Sequence, residues 1–190
     1  YELRDLSPLL DPIRLIKSPR EISLIRRASE IAGLAIIEAI RSTRPGVYEY
    51  QLDAVARYVY LLNGAKHEGY PSIIGGGKNA WHGHYFHNAS VLNAGDLVLM
   101  DYAPDYRYYT SDVTRMWPVD GKYTADQRAL CGFILAYRDA LLKRIRPGVT
   151  PEQVLDGARQ EMDLFLKRLT FSKEIYRKGA EDALRFRGHL

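Results

Sequence analysis

The chain has 190 residues, of which 46% are hydrophobic and 26% charged, and a formal net charge of +4. That length and balance fit one globular domain with a sizeable core and exclude a disordered or fibrous chain. No apolar run is long enough to cross a bilayer, no signal peptide is recognisable, and the Lys and Arg residues are spread out, so neither a membrane nor a nucleic acid is an expected partner.

A single cysteine, Cys131, rules out a disulfide within the chain. It stands in an apolar stretch, 130–135, and is expected as a small core residue. Its isolation is compatible with a reducing compartment, and a cytoplasmic location is expected.

In chain order, Leu6 to Ile16 are broken by Pro8 and Pro12 and read as a linker. A helix then begins at Ser18-Pro19-Arg20-Glu21, with a capping serine, a proline at the first helical position and a glutamate three residues after the cap. Ile22, Ile25, Ala28, Ala32 and Ala35 recur at helical spacing, and Pro45-Gly46 ends the helix. A second helix carries Leu52, Val55, Val59 and Leu62 on one face and stops near Asn63-Gly64. Tyr70 to Ile74 reads as a short strand and Gly75-Gly76-Gly77 as a flexible turn. Ala94-Gly95-Asp96 launches a strand ending at Asp101, and after Pro118 the pattern returns to helix. Thr124-Ala125-Asp126-Gln127 and Thr150-Pro151-Glu152-Gln153 are two further capping boxes.

Arg44-Pro45-Gly46-Val47 reappears as Arg146-Pro147-Gly148-Val149, with Gln51, Leu52, Ala56 and Arg57 answered in register by Gln153, Val154, Ala158 and Arg159. Pro-Gly punctuation between helices also recurs by chance, but the flanking matches favour a duplicated helix pair, with residues 20–60 and 122–162 related by a pseudo-twofold and backing a shared sheet.

Asp101 closes an apolar strand, and Asp112 follows a turn marked by Pro104 and Asp105. Two neighbouring antiparallel strands are expected, each offering one carboxylate. Carboxylates held close together repel, and a divalent cation or a proton must relieve the conflict. Oxygen ligands suit hard cations such as Mg²⁺ and Mn²⁺, and paired ions can activate a water. A plainer account is that Asp101 caps a strand and Asp112 pairs with Arg115.

Four histidines, His67, His82, His84 and His87, lie near this segment. Most histidines in such stretches are surface or hydrogen-bonded residues, but the aromatic neighbours Tyr85 and Phe86 imply a partly buried setting for His84, where an imidazole can bond the oxyanion of a tetrahedral intermediate. Gly75 to Gly77 lacks the spacing of a phosphate-binding loop, and there is no Gly-x-Ser-x-Gly nucleophile elbow.

Gly77-Lys78-Asn79-Ala80, His84-Tyr85, Asn88, Gly95 through Asp101, and Tyr109-Thr110-Ser111-Asp112-Val113-Thr114-Arg115 together resemble the pita-bread metallopeptidases, in the branch of Xaa-Pro aminopeptidases and Xaa-Pro dipeptidases. The resemblance covers roughly residues 14–160. It implies an α+β pita-bread fold with pseudo-twofold helix pairs behind an antiparallel sheet, incomplete at its C-terminus. Residues 1–16 would be a linker from a missing N-terminal domain, and 17–190 a partial catalytic domain. The implied activity is hydrolysis of the bond between an N-terminal residue and proline through a metal-activated water. By the same resemblance Asp101 and Asp112 are metal ligands, His84 is the catalytic and substrate-binding histidine, and the cofactors are two divalent ions, Mn²⁺, Co²⁺ or Zn²⁺. The implied partners are a proline-containing peptide and a second copy in a homodimer.

Departures from the family pattern are Ala103 and Tyr108, where glycines are usual. The family's remaining ligands, a histidine and two glutamates, come from later segments. His189 falls close to the histidine's place and more naturally lies a few residues before it, so this chain alone is expected to be inactive. The rival readings are a non-catalytic peptide-binding module of the same fold and a metal-independent hydrolase like creatinase, against which the two aspartates argue.

Overall fold

A computed structural model describes residues 4–186. His189 lies outside the described residues. The chain divides into a compact unit that ends at Gly121 and a second that begins at Lys122.

The first unit opens with α1 (Ser7–Leu15), where a Pro-broken linker is expected. Pro8 sits in the first turn, where a missing N–H costs nothing, and the Asp5 carboxylate accepts the Ser7 amide at 2.9 Å. The helix buries no residue. Helix α2 (Pro19–Ser42) begins at the expected capping box: Ser18 Oγ accepts the Glu21 amide at 3.3 Å, and the Glu21 carboxylate accepts the Ser18 amide at 2.6 Å. Ala28, Ile31, Ala32, Ala35, Ile36 and Ala39 form its buried stripe. Helix α3 (Glu49–Leu62) buries Leu52, Ala56, Val59 and Tyr60.

Strand β1 (His67–Glu68) is followed by β2 (Ile73–Gly76) and a short 3-10 helix, Gly77–Trp81. The strand expected over Tyr70–Ile74 is thus shifted toward the C-terminus, and Gly75-Gly76 belong to it instead of forming a flexible turn. Both glycines are buried, and a methyl group on Gly75 would lie 2.8 Å from backbone atoms of Asn79 and Ala80. The missing Cβ lets the 3-10 helix fold back over the strand.

β3 (Leu97–Tyr102) pairs antiparallel with β2 on one side and with β6 (Val113–Pro118) on the other. Val98, Met100 and Tyr102 point into the core formed with α2 and α3, while Leu97, Leu99 and Asp101 occupy the half-exposed face. Between β3 and β6 the chain makes a second hairpin, β4 (Pro104–Tyr106) and β5 (Tyr109–Thr110), which pairs with β1. Pro104 and Asp105 are therefore strand residues, and the turn is Arg107-Tyr108, with φ of 56° and 68°. Positive φ at both positions marks the two-residue turn that matches strand twist. It also explains why a glycine is the usual occupant of the Tyr108 position.

The second unit contains α4 (Ala125–Leu142), α5 (Pro151–Leu166) and α6 (Glu174–Arg185), around Phe133, Ala140, Ala158, Met162 and Leu184. Both expected capping boxes, at Thr124 and Thr150, are formed. Cys131 is half-buried and unbridged, outside the core it was expected to join.

The Arg-Pro-Gly-Val repeat has the same local geometry in each unit. Val47 and Val149 donate to the carbonyls of Arg44 and Arg146 at 3.3 and 3.5 Å, and Gly46 and Gly148 have φ of 90° and 84°. Proline then glycine with positive φ is the signature of a type II turn. The matched residues Ala56 and Ala158 are both fully buried. Among the described residues no helix is long and apolar enough to cross a membrane.

Candidate active site

The antiparallel pairing of β3 with β6 sets Asp101 opposite Thr114. Asp112 lies two residues before Thr114, so the alternation of side chains puts it on the same half-exposed face as Asp101. The two carboxylates converge as expected: the Tyr70 hydroxyl oxygen lies 2.7 Å from Asp101 Oδ1 and 3.0 Å from Asp112 Oδ1. Both oxygens fall within reach of one phenol, inside the roughly 6 Å over which charges couple strongly.

Tyr70 has one hydroxyl hydrogen and faces two acceptors. Burial, followed by its bonds to Asp101 and Asp112, pushes its pKa far above the ordinary tyrosine value, so it remains protonated and a donor. Thr114 Oγ1 donates a second bond to Asp101 Oδ1 at 2.8 Å. These bonds fall on the Oδ1 atoms. The Arg115 guanidinium turns to the Thr114 carbonyl, 2.7 Å away, and no Lys or Arg among the described residues forms an ion pair with either aspartate. The plainer account, with Asp112 neutralised by Arg115, is not the arrangement found.

This donor set fits a hard divalent cation. It consists of hard oxygen ligands whose hydroxyl donors are neutral and leave their negative charge in place, and it sits on an accessible face. It is also incomplete, because no group of three or more His, Cys, Asp or Glu side chains gathers among the described residues.

His84 is exposed, where a partly buried setting is expected. It lies in the loop between the 3-10 helix and Ser90, with φ of 54°, and stacks on Phe86 at a ring separation of 5.9 Å. No hydrogen bond among the described residues joins it to the aspartates. His67, His82 and His87 are likewise exposed.

Sequence reasoning missed two residues. Tyr70 is one tyrosine among 14, and nothing in Gly69-Tyr70-Pro71 distinguishes it. It also forms one wall of a cleft of about 580 Å³ shared with Arg57, Tyr60, Leu61 and Pro71. Glu49, at the start of α3, is completely buried. It reads in the sequence as an ordinary acidic residue of a first helical turn.

A profile of metallopeptidase family M24 matches residues 23–186. The chain is 38% identical over 146 residues to the Xaa-Pro aminopeptidase of Escherichia coli (strain K12), covering 77% of this chain and 33% of that protein. It is 31% identical over 184 residues to Xaa-Pro aminopeptidase 3 of Homo sapiens, covering 97% and 36% respectively. Among solved structures, proline aminopeptidase P II from Yersinia pestis superposes with a TM-score of 0.83 at 38% identity, over 95% of this chain and 42% of that one. A Zn substituted E. coli aminopeptidase P in complex with product gives 0.81 at 33% identity, over 94% and 41%. The chain spans about a third of the length of these curated relatives.

Proposed function

The chain belongs to metallopeptidase family M24, and from that premise we propose that its protein is a metal-dependent exopeptidase cleaving the bond between an N-terminal residue and proline. Its α+β architecture is the pita-bread fold. The observation that carries the proposal is the convergence of Asp101 and Asp112 on one hydroxyl hydrogen.

In this reading Asp101 and Asp112 are ligands to a pair of divalent ions, Mn²⁺, Co²⁺ or Zn²⁺, whose other ligands lie outside the described residues. Bound there, the ions supply Lewis acidity and lower the pKa of a water. Tyr70 and Thr114 orient the Asp101 carboxylate, and Tyr70 also bonds Asp112. The exposed His84 imidazole is reachable by a peptide carbonyl and donates to its oxygen as negative charge develops. A cytoplasmic homodimer is the setting we assign to this activity.

Calorimetric titration with Mn²⁺, together with chromatographic assay of Xaa-Pro peptides, on a protein that carries the remaining metal ligands tests the reading. Asp101→Asn and Asp112→Asn should each remove metal binding and hydrolysis. Undiminished hydrolysis by Asp112→Asn would refute it. A non-catalytic peptide-binding module is the second reading, favoured by the lack of a third acidic or histidine ligand among the described residues. Peptide binding without turnover at saturating metal would select it.

A further inference from the structure

Glu49 is a fully buried carboxylate that the proposed chemistry does not use. Burying an unpaired charge is costly, and no Lys or Arg among the described residues pairs with it. Four donors compensate. Oε1 accepts the Gly76 amide at 2.8 Å and the Asn79 side-chain amide at 3.0 Å. Oε2 accepts the Ser90 amide at 2.9 Å and the Tyr85 hydroxyl at 3.0 Å.

Three of these donors come from one loop and its two feet, and the fourth, Gly76, ends β2. Asn79 precedes the loop and Ser90 closes it, and Asn79 Nδ2 lies 2.8 Å from Ser90 Oγ. Tyr85 stands at mid-loop, directly after His84. The backbone of Glu49 grips the same segment, since its amide donates to the Ser90 carbonyl at 3.0 Å. Segment 82–90 is thus a compact loop with its ends drawn together around one carboxylate. A second tie comes from buried Asn88, whose Oδ1 accepts the Ile74 amide at 2.8 Å and whose Nδ2 donates to Ser72 at 3.0 Å. His82, His84, Phe86 and His87 are left exposed on the loop's surface.

A neutral amide cannot meet four donors with acceptor atoms alone, because half of its polar end is itself a donor. Charge-assisted bonds are also about twice as strong as neutral ones. We propose that Glu49 is a positioning residue: it fixes the loop 82–90 and so holds the His84 imidazole in place. The catalytic consequence rests on the reading of His84 as an oxyanion donor, while the positioning itself does not.

The test is ¹⁵N relaxation and amide exchange on the wild type, Glu49→Gln and Tyr85→Phe, with peptide hydrolysis measured in parallel on a protein that carries the remaining metal ligands. Order parameters across 82–90 should fall from about 0.85 to below about 0.6 in Glu49→Gln. Exchange at Gly76 and Ser90 should rise about tenfold or more, as expected for a lost charge-assisted bond, while β3 amides keep their protection. A residue that merely stabilises the fold would leave the order parameters unchanged and speed exchange equally in β3, and that result would overturn the proposal. Tyr85→Phe removes the bond to Glu49 and the one its hydroxyl accepts from Asn79 at 3.1 Å, and should loosen the loop alone, so it carries the test if Glu49→Gln does not fold. In hydrolysis, Tyr85→Phe should lower kcat with KM unchanged and have no further effect in a His84→Ala background. A loosened loop with unchanged kcat would retire His84 as the oxyanion donor and keep the positioning role. A rigid loop with lowered kcat would overturn the positioning role.

Discussion

Asp101 and Asp112 share one hydrogen: their Oδ1 atoms lie 2.7 and 3.0 Å from the same Tyr70 hydroxyl oxygen. Without a bound cation, two negative charges at this separation on an accessible face repel by about 0.5–1 kcal/mol. Asp112→Asn should therefore stabilise the metal-free protein by about that amount, while abolishing metal binding. Urea unfolding without metal and calorimetry with Mn²⁺ measure the two effects. A destabilised metal-free variant would show that the pair is a structural brace.

His84→Ala tests the oxyanion role directly. The side chain is exposed, so the fold should be left within about 0.5 kcal/mol of the wild type. Metal affinity should be unchanged. In a protein that carries the remaining metal ligands, hydrolysis should lose about 2.7–4 kcal/mol of transition-state stabilisation, a drop in kcat of about 10²–10³-fold. An unchanged kcat, measured under metal saturation, would remove His84 from the chemistry.

The two strand glycines should respond differently to alanine. A methyl on Gly75 meets backbone of Asn79 and Ala80 at 2.8 Å, and backbone cannot give way without moving the 3-10 helix. A methyl on Gly76 meets the tip of the Leu92 side chain and no backbone atom. Gly75→Ala should cost about 1–3 kcal/mol, the range of an overpacked core, and Gly76→Ala less. Denaturant midpoints rank the two variants, and a reversed order would place the strain elsewhere.

Stability should also carry a pH signature from Glu68. Burial holds its pKa above the ordinary 4.5, only partly countered by Arg57, and Asp53 raises it further. The folded state therefore binds this proton more readily than the unfolded state does. The associated stabilisation is absent above the raised folded pKa, grows as pH falls through it, and is complete below the unfolded value near 4.5. Unfolding of the wild type and Glu68→Gln across that window should show the wild type gaining relative to the variant as the pH drops. Parallel curves would assign the shift to another group.

Much of this was legible locally. Ser18, Thr124 and Thr150 each announce a helix through a capping box whose partners stand three residues apart, and all three boxes form. The Arg-Pro-Gly-Val turns were readable for the same reason, since proline and glycine restrict backbone torsions independently of the rest of the chain. Asp101 and Asp112 could be paired because strand alternation and a turn suffice to bring them to one face.

The glycine run and the interposed hairpin were misread because their conformations answer to distant atoms. Gly75 and Gly76 are extended under the 3-10 helix and Leu92, and Pro104 is drawn into β4 by its pairing with Glu68 of β1. Sequence alone determined the capped starts of α2, α4 and α5, the two turns, the family and the aspartate pair, each fixed by residues near one another or by a spaced motif, while α1 formed where a linker was expected. Tertiary structure decided that Tyr70 bridges the aspartates and that Glu49 binds the His84 loop. Those contacts span 31, 42 and 36 residues for Tyr70–Asp101, Tyr70–Asp112 and Tyr85–Glu49. A hydroxyl or a carboxylate carries no sign of its acceptors or donors until the packed sheet brings them within hydrogen-bond distance.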